Sequence, residues 1–256
     1  MDAEKTQEII TGFIKRKVSE ANASGVVIGL SGGIDSAVTA KLCANALGND
    51  CVLALIMPTG VTSENDVSDA VNYAKELEID CRIINISKIL DSFLNEIKGD
   101  KKNKTAYGNL MARIRMCVIY YLANSLNRLV AGTGNKSEIL CGYFTKFGDG
   151  GCDILPIGDL YKTRVRELAE YLKIPDEIRK KVPSAGLWQG QSDEDELGIS
   201  YELLDRILAE VVDKKTETSK AATKLNTGKD EVKRIGKKIG DSDHKRHTPE
   251  ICRIKQ

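Results

Sequence analysis

The run Gly29-Leu30-Ser31-Gly32-Gly33-Ile34-Asp35-Ser36 places three glycines, two serine hydroxyls and one carboxylate in eight residues. Where such a run leaves a strand and enters a helix, its backbone N–H groups wrap a phosphate and the positive end of the helix dipole stands behind them. No Gly-Lys-Ser/Thr closes it, and it is not GxGxxG. Asp35 adds a requirement, because a carboxylate facing a polyphosphate is repelled unless a cation lies between them; its presence points to Mg²⁺. A second run, Gly132-Thr133-Gly134-Asn135-Lys136-Ser137-Glu138, reads in two ways. Glu138 is a carboxylate favoured at a helix start, or, if the two loops meet, a second ligand to a cation shared with Asp35.

The elements around these runs decide whether they meet. Residues 4–20 carry Ile9, Ile10, Phe13, Ile14 and Val18 near helical spacing. Three apolar runs, 26–30, 51–57 and 81–86, are each followed by a helical pattern, at 35–47, 63–77 and 87–98. That alternation is the signature of βαβ units, and continuous apolar runs are what parallel strands covered on both faces look like. A long helix over 106–126 and a fourth strand over 128–131 follow. With the strand order 3-2-1-4, strands 1 and 4 are neighbours and both glycine-rich loops open at the topological switch point. Beyond lie a glycine-rich segment (142–151), a helix near 162–172, a loop over 183–198 and helices near 201–212 and 229–238. No repeat or linker divides the chain, so the expectation is one domain over 1–256, an α/β doubly wound parallel sheet with helical C-terminal additions.

Composition removes other classes. Of 256 residues, 38 are basic and 37 acidic, which argues against a general nucleic-acid binder and makes any anion site local. Residues 213–246 hold eleven Lys and Arg against six Asp and Glu, read as a solvated surface helix and its flanks. The longest apolar run, 51–57, is far short of the ~20 residues of a membrane span, and the start has no signal-peptide pattern; the chain reads as cytoplasmic, with no membrane partner. Seven cysteines without a CxxC pair indicate neither a disulfide scaffold nor a zinc site.

The SGGIDS run at 31–36 resembles the pyrophosphate-binding loop of the N-type ATP pyrophosphatases, which split ATP into AMP and pyrophosphate while adenylating a substrate. Within that superfamily the chain resembles the ammonia-dependent NAD synthetases through GTGNKSE at 132–138, TKFGDGGCDILPIGDLYKTRVREL at 145–168, PSAGLWQGQSDEDELGISYELLD at 183–205 and DSDHKRHTPE at 241–250. The resemblance implies an adenine nucleotide alpha hydrolase-like fold and the conversion of deamido-NAD, ATP and ammonia to NAD, AMP and pyrophosphate. It implies that Gly29, Leu30, Ser31, Gly32, Gly33, Ile34, Asp35 and Ser36 hold the ATP phosphates, with Thr133, Lys162 and Ser184 also contacting ATP; the family more often has threonine where Ser184 stands. It implies Mg²⁺ on Asp35 and Glu138, and deamido-NAD on Arg113, Lys146, Asp153, His244 and Lys245. Asp149 matches an acidic residue beside the reacting carboxylate that holds or deprotonates ammonium, so Asp35, Asp149 and Lys162 are the expected catalytic residues. The family also uses a helix corresponding to 106–126 in a homodimer contact.

Plainer roles stand beside these. Arg113, next to Arg115, also reads as a snorkelling surface residue, with the substrate role favoured by the resemblance. Lys162 opens a helix, where the dipole disfavours a cation, so a nearby anion accounts for it better than solvent. His244 and His247 lie in a polar tail where a histidine is usually idle. A tRNA-thiolating relative would need reactive cysteines, for which Cys141 and Cys152 are candidates, and a basic RNA-binding module; a non-catalytic nucleotide sensor would use the same scaffold. A glutamine-dependent synthetase would carry a further glutaminase domain, for which the length leaves no room, so ammonia is the expected donor.

Overall fold

The computed structural model describes residues 2–254. Asp2 caps the first helix, Ala3–Glu20 (α1), by accepting the N–H of Lys5, and Ile10, Ile14 and Val18 form its buried stripe. Val26–Gly29 (β1), Ile34–Leu47 (α2), Val52–Ile56 (β2), Glu64–Glu76 (α3), Asp80–Ile83 (β3) and Ser87–Glu96 (α4) then alternate as the apolar runs predict. Lys104–Ser125 (α5), Leu129–Ala131 (β4) and Lys136–Cys141 (α6) follow. All four strands are parallel in the order β3-β2-β1-β4, with Val26 opposite both Val52 and Leu129. β1 and β4 are therefore neighbours whose connections leave in opposite directions, the switch point at which α/β sheets bind ligands.

Successive strand residues point to opposite faces. Val26, Ile28, Val52 and Ala54 share a core with Ile14 of α1, Leu42 of α2 and Leu168 of the later helix Lys162–Tyr171 (α7). Val27, Leu53 and Leu55 share the other with Leu90 of α4 and Met111 and Ile114 of α5. β3 departs from the expected two-sided burial: all four of its residues are exposed, Ile83 at 57%, because it is the edge strand with β2 as its single neighbour. Cys81 on this strand is accordingly exposed, as is Cys117 on α5, and all seven cysteines are free.

The C-terminal part adds Asp176–Arg179 (α8), Asp193–Leu197 (α9), Tyr201–Leu208 (α10), Thr218–Leu225 (α11) and Lys229–Asp241 (α12). α9 interrupts the loop expected over 183–198: Ser192 accepts the N–H of Asp195 at its start and Gly198 ends it in the left-handed conformation. The helix expected over 201–212 ends at Leu208 and continues as a π-turn over Ala209–Asp213. The basic stretch 213–246 is two amphipathic helices rather than one solvated helix, since Ala222, Leu225, Val232 and Ile235 join Tyr201, Leu204 and Leu208 in a core of their own. Among the described residues, no helix is long and apolar enough to cross a membrane.

Candidate active site

The turn after β1 is held from within. Leu30 extends the sheet by one bond to the Leu55 carbonyl (2.9 Å). Ser36 Oγ then accepts the Ser31 N–H at 3.2 Å and donates to the Gly33 carbonyl at 2.9 Å, and Ser31 Oγ accepts the Gly33 N–H at 3.2 Å. Gly33 begins α2 without any side-chain cap, which leaves the positive end of that helix facing the turn.

Asp35, in the first turn of α2, meets residues 100 and 127 positions away. Its Oδ1 accepts from Asn135 Nδ2 at 3.0 Å, and its Oδ2 accepts from Lys162 Nζ, which also lies 3.5 Å from Glu138 Oε1. Asn135 and Glu138 form a reciprocal capping box at the start of α6, so Glu138 is a helix-start carboxylate, and the Lys162 ammonium brings it together with Asp35. Ser137, between them, accepts the Lys162 N–H at 2.9 Å and donates to Asp205, whose other oxygen accepts the Thr163 N–H at 2.8 Å. The start of α7 is thereby fixed and Lys162 points inward, 2% exposed.

Charge in this cluster is unbalanced. Burial opposes the Lys162 charge, but Asp35 and Glu138 outweigh it and hold its pKa above the usual lysine range. Burial, then the Asp35 charge, pushes Glu138 up to about 8 against the pull of Lys162. Asp193, raised chiefly by burial, stands nearby: Tyr201 donates to its Oδ2 at 3.1 Å, its Oδ1 is buried without a partner, and the Tyr201 ring lies 5.2 Å from Lys162 Nζ. Two carboxylates completed by phosphate oxygens and water are the donor set Mg²⁺ prefers. Asp35 and Glu138, already bridged by one cation, fit it.

The remaining expected residues gather around the 142–151 segment. Arg113 on α5 donates to the Lys146 carbonyl at 3.4 Å, and Lys146 Nζ donates to the His244 carbonyl while lying 5.4 Å from the Phe147 ring. Lys245 Nζ donates to the Gly142 and Phe144 carbonyls at 2.7 and 2.9 Å. Arg246 joins it there, donating to the Ile139 and Leu140 carbonyls at the end of α6. Gly142 is left-handed, and a Cβ on it would fall 2.2 Å from Ser242 Cβ, so the tail seats directly on this glycine. Asp149 accepts the Thr145 N–H at 2.9 Å, and loss of hydration raises its pKa. Asp153 binds the edge of β4 instead, accepting from Val130 N–H at 2.7 Å and Tyr120 Oη at 3.0 Å. Thr133 follows β4 at the mouth of the site; Ser184 is exposed, and its hydroxyl accepts the Gly186 N–H within its own loop.

The sequence reading did not single out Asn135, Asp193, Tyr201 or Arg115. Arg115 is more buried than Arg113 and donates to the Met57 carbonyl at the end of β2 at 3.2 Å. Asn135 carried a visible signal, an Asn three residues before a Glu at a helix start; for Asp193 and Tyr201 the signal lay only in the fold.

A parallel sheet ordered β3-β2-β1-β4, with a glycine-rich turn after β1 and buried acidic and basic groups at its switch point, defines a nucleotide-binding α/β protein of the adenine nucleotide alpha hydrolase-like fold. Residues 6–249 match the NAD synthase family model, and the chain belongs to that family. It is 51% identical to an NH(3)-dependent NAD(+) synthetase of Archaeoglobus fulgidus, over 100% of this chain and 99% of that one. Among solved structures it is similar to NMN synthetase from Francisella tularensis (TM-score 0.87, 37% identity, 99% and 100% of the two chains) and to the NH3-dependent NAD synthetase from Campylobacter jejuni in complex with the nitrate ion (TM-score 0.83, 34% identity, 99% and 100%).

Proposed function

We propose that this chain is an ammonia-dependent NAD synthetase, a single domain that adenylates the nicotinate carboxylate of deamido-NAD with ATP and then amidates the acyl-adenylate with ammonia, giving NAD, AMP and pyrophosphate. The observation that carries this reading is the Asp35–Lys162–Glu138 cluster beside the glycine-rich turn, in a chain 51% identical to a named synthetase over its full length. A carboxylate does not react with ammonia in water because its leaving group would be oxide; as a mixed anhydride with AMP it has a good one. The work of the protein is positioning and charge neutralisation, and it needs no nucleophile of its own.

The backbone of residues 29–36 receives the phosphates, with Thr133, Lys162 and Ser184 completing the ATP side. Asp35 and Glu138 hold Mg²⁺, which supplies neutralisation of triphosphate charge when bound. Lys162 keeps a positive charge at the same place. Arg113, Lys146, Asp153, His244 and Lys245 form the deamido-NAD side. Asp149 takes the proton that ammonium must lose before it attacks, a role its raised pKa favours because a more basic carboxylate is a better acceptor. Exposed Ile89 and Phe93 on α4, Ile97 just after it and Tyr121 on α5 support a homodimer formed by this side of the sheet. Seven free thiols fit the reducing cytoplasm.

The thiolation alternative loses its reactive pair, since burial pushes the thiols of Cys141 and Cys152 up to about 11 each. A second reading keeps the chemistry and shortens the acceptor to nicotinic acid mononucleotide; the likeness to the Francisella tularensis NMN synthetase favours it. The deciding experiment follows AMP, pyrophosphate and amidated product from Mg-ATP with either acceptor, with and without ammonium. Ammonium-dependent NAD in step with AMP is expected. Preference for the mononucleotide would transfer the activity to the second reading, and no turnover with either would favour a sensor.

A further inference from the structure

Lys181 lies outside every motif role assigned above, yet it touches the phosphate turn directly. Its Nζ donates to the Gly32 carbonyl at 3.1 Å, to Asp66 Oδ1 at 2.7 Å and to Asp69 Oδ2 at 2.8 Å. The lysine follows α8, and both carboxylates belong to α3. Gly32 itself is left-handed, with φ +79°, and a Cβ there would meet the Asp66 carbonyl oxygen at 2.5 Å. The turn is thus pressed against the first turn of α3 and held there by one cation.

A trans peptide is planar, with its C=O and N–H pointing in opposite directions. Fixing the Gly32 carbonyl on Lys181 therefore aims the Gly33 N–H the other way, into the turn, where it now rests on Ser31 Oγ. That N–H is one of the donors a phosphate would take. Lys181 also stands two residues before Pro183, whose carbonyl accepts the Asp193 N–H at 3.0 Å, so the stem of the 184–192 loop and the phosphate turn share one anchor. Its three acceptors use all three protons of the ammonium, leaving none for a ligand.

We infer that Lys181, held between Asp66 and Asp69, is a positioning residue that sets the peptide following Gly32 for the departing pyrophosphate of ATP and ties the second glycine-rich loop to that turn. This rests on the reading of the 29–36 turn as the ATP-phosphate site. The test compares binding of Mg-ATP, inorganic pyrophosphate and AMP to the wild type, Lys181→Met and Lys181→Arg by calorimetry, with no turnover required. Lys181→Met should weaken Mg-ATP and pyrophosphate by tenfold or more and AMP by less than threefold. Lys181→Arg, which keeps the charge, should recover most of the loss. Should Lys181→Met not fold, Asp66→Asn/Asp69→Asn serves in its place, with the same ranking of ligands expected. Equal losses for AMP and ATP, or unchanged ATP and pyrophosphate binding, would overturn the inference. A wild type that binds neither ATP nor pyrophosphate would overturn the reading of the turn itself, and the inference with it, whereas a wild type that binds both without making NAD would overturn only the proposed reaction.

Discussion

Two glutamates, each facing lysine, sit in oppositely balanced surroundings. Glu210, in the π-turn after α10, is 5% exposed and is met by Lys214 at 2.7 Å and Lys224 at 2.8 Å, which hold its carboxyl down to about 2. Glu138 is reached by a single ammonium that Asp35 already occupies, and it is pushed up to about 8. Around Glu210 cations outnumber carboxylates and the arrangement is satisfied as it stands. Around Glu138 the carboxylates are in excess, and the arrangement leaves negative charge over. One region is satisfied within the fold, and the other is where a further cation is proposed to bind.

The largest test of that contrast is removal of the unbalanced carboxylates. Asp35→Ala and Glu138→Ala should each lower Mg²⁺-dependent AMP formation by about a thousandfold or more, on the scale of losing a dedicated electrostatic stabiliser, while circular dichroism stays that of the wild type. Near-normal turnover in either would remove that residue from the proposed metal site. Next, Lys162→Met should abolish turnover and destabilise the protein by about 3–5 kcal/mol, because it leaves buried carboxylates unpaired. Mg²⁺ without ATP should then raise the melting temperature of Lys162→Met more than that of the wild type. Equal shifts would mean that the carboxylates do not accept the ion.

Smaller effects separate the two sides of the pocket. Arg113→Ala and Lys146→Ala should each raise KM for deamido-NAD by about tenfold, the scale of one charge-assisted hydrogen bond, with KM for ATP within twofold; an effect confined to ATP would overturn the division. The smallest effect belongs to Glu210. Its folded pKa lies below the ordinary 4.5, so its stabilisation is present above pH 4.5 and is lost as pH falls through 2. Glu210→Gln should therefore lower the melting temperature at pH 7 without changing turnover, and the gap from the wild type should narrow progressively below pH 4.5.

What was legible in the sequence follows from how far apart the interacting residues lie. β1, β2 and β4 and their helices were readable because continuous apolar runs and helical spacing are local, and the common strand order 3-2-1-4 was what put two glycine-rich loops at one switch point. β3 misled, since an apolar run does not reveal that its strand forms the sheet edge. α9 was missed although Ser192 and Gly198 mark its ends; five residues rich in acid read as loop. Lys162 was readable as a cation in search of an anion, but its partners are carboxylates 127 and 24 positions away, and the unpaired oxygen of Asp193 belongs to no spacing rule at all.

The seat of the tail on Gly142 gives the pocket an order of assembly. Asp35, Asn135, Glu138 and Lys162 have all been synthesised before α8 begins, whereas the staples on the Gly142 and Phe144 carbonyls come from Lys245 and those on the end of α6 from Arg246. A chain emerging from the ribosome therefore carries the residues joined at Asp35 well before those that staple Gly142. The last helix and the turn after it act as a closing stitch, and cleavage before Ser242 would remove those staples while sparing the contacts that join Asp35, Asn135, Glu138 and Lys162.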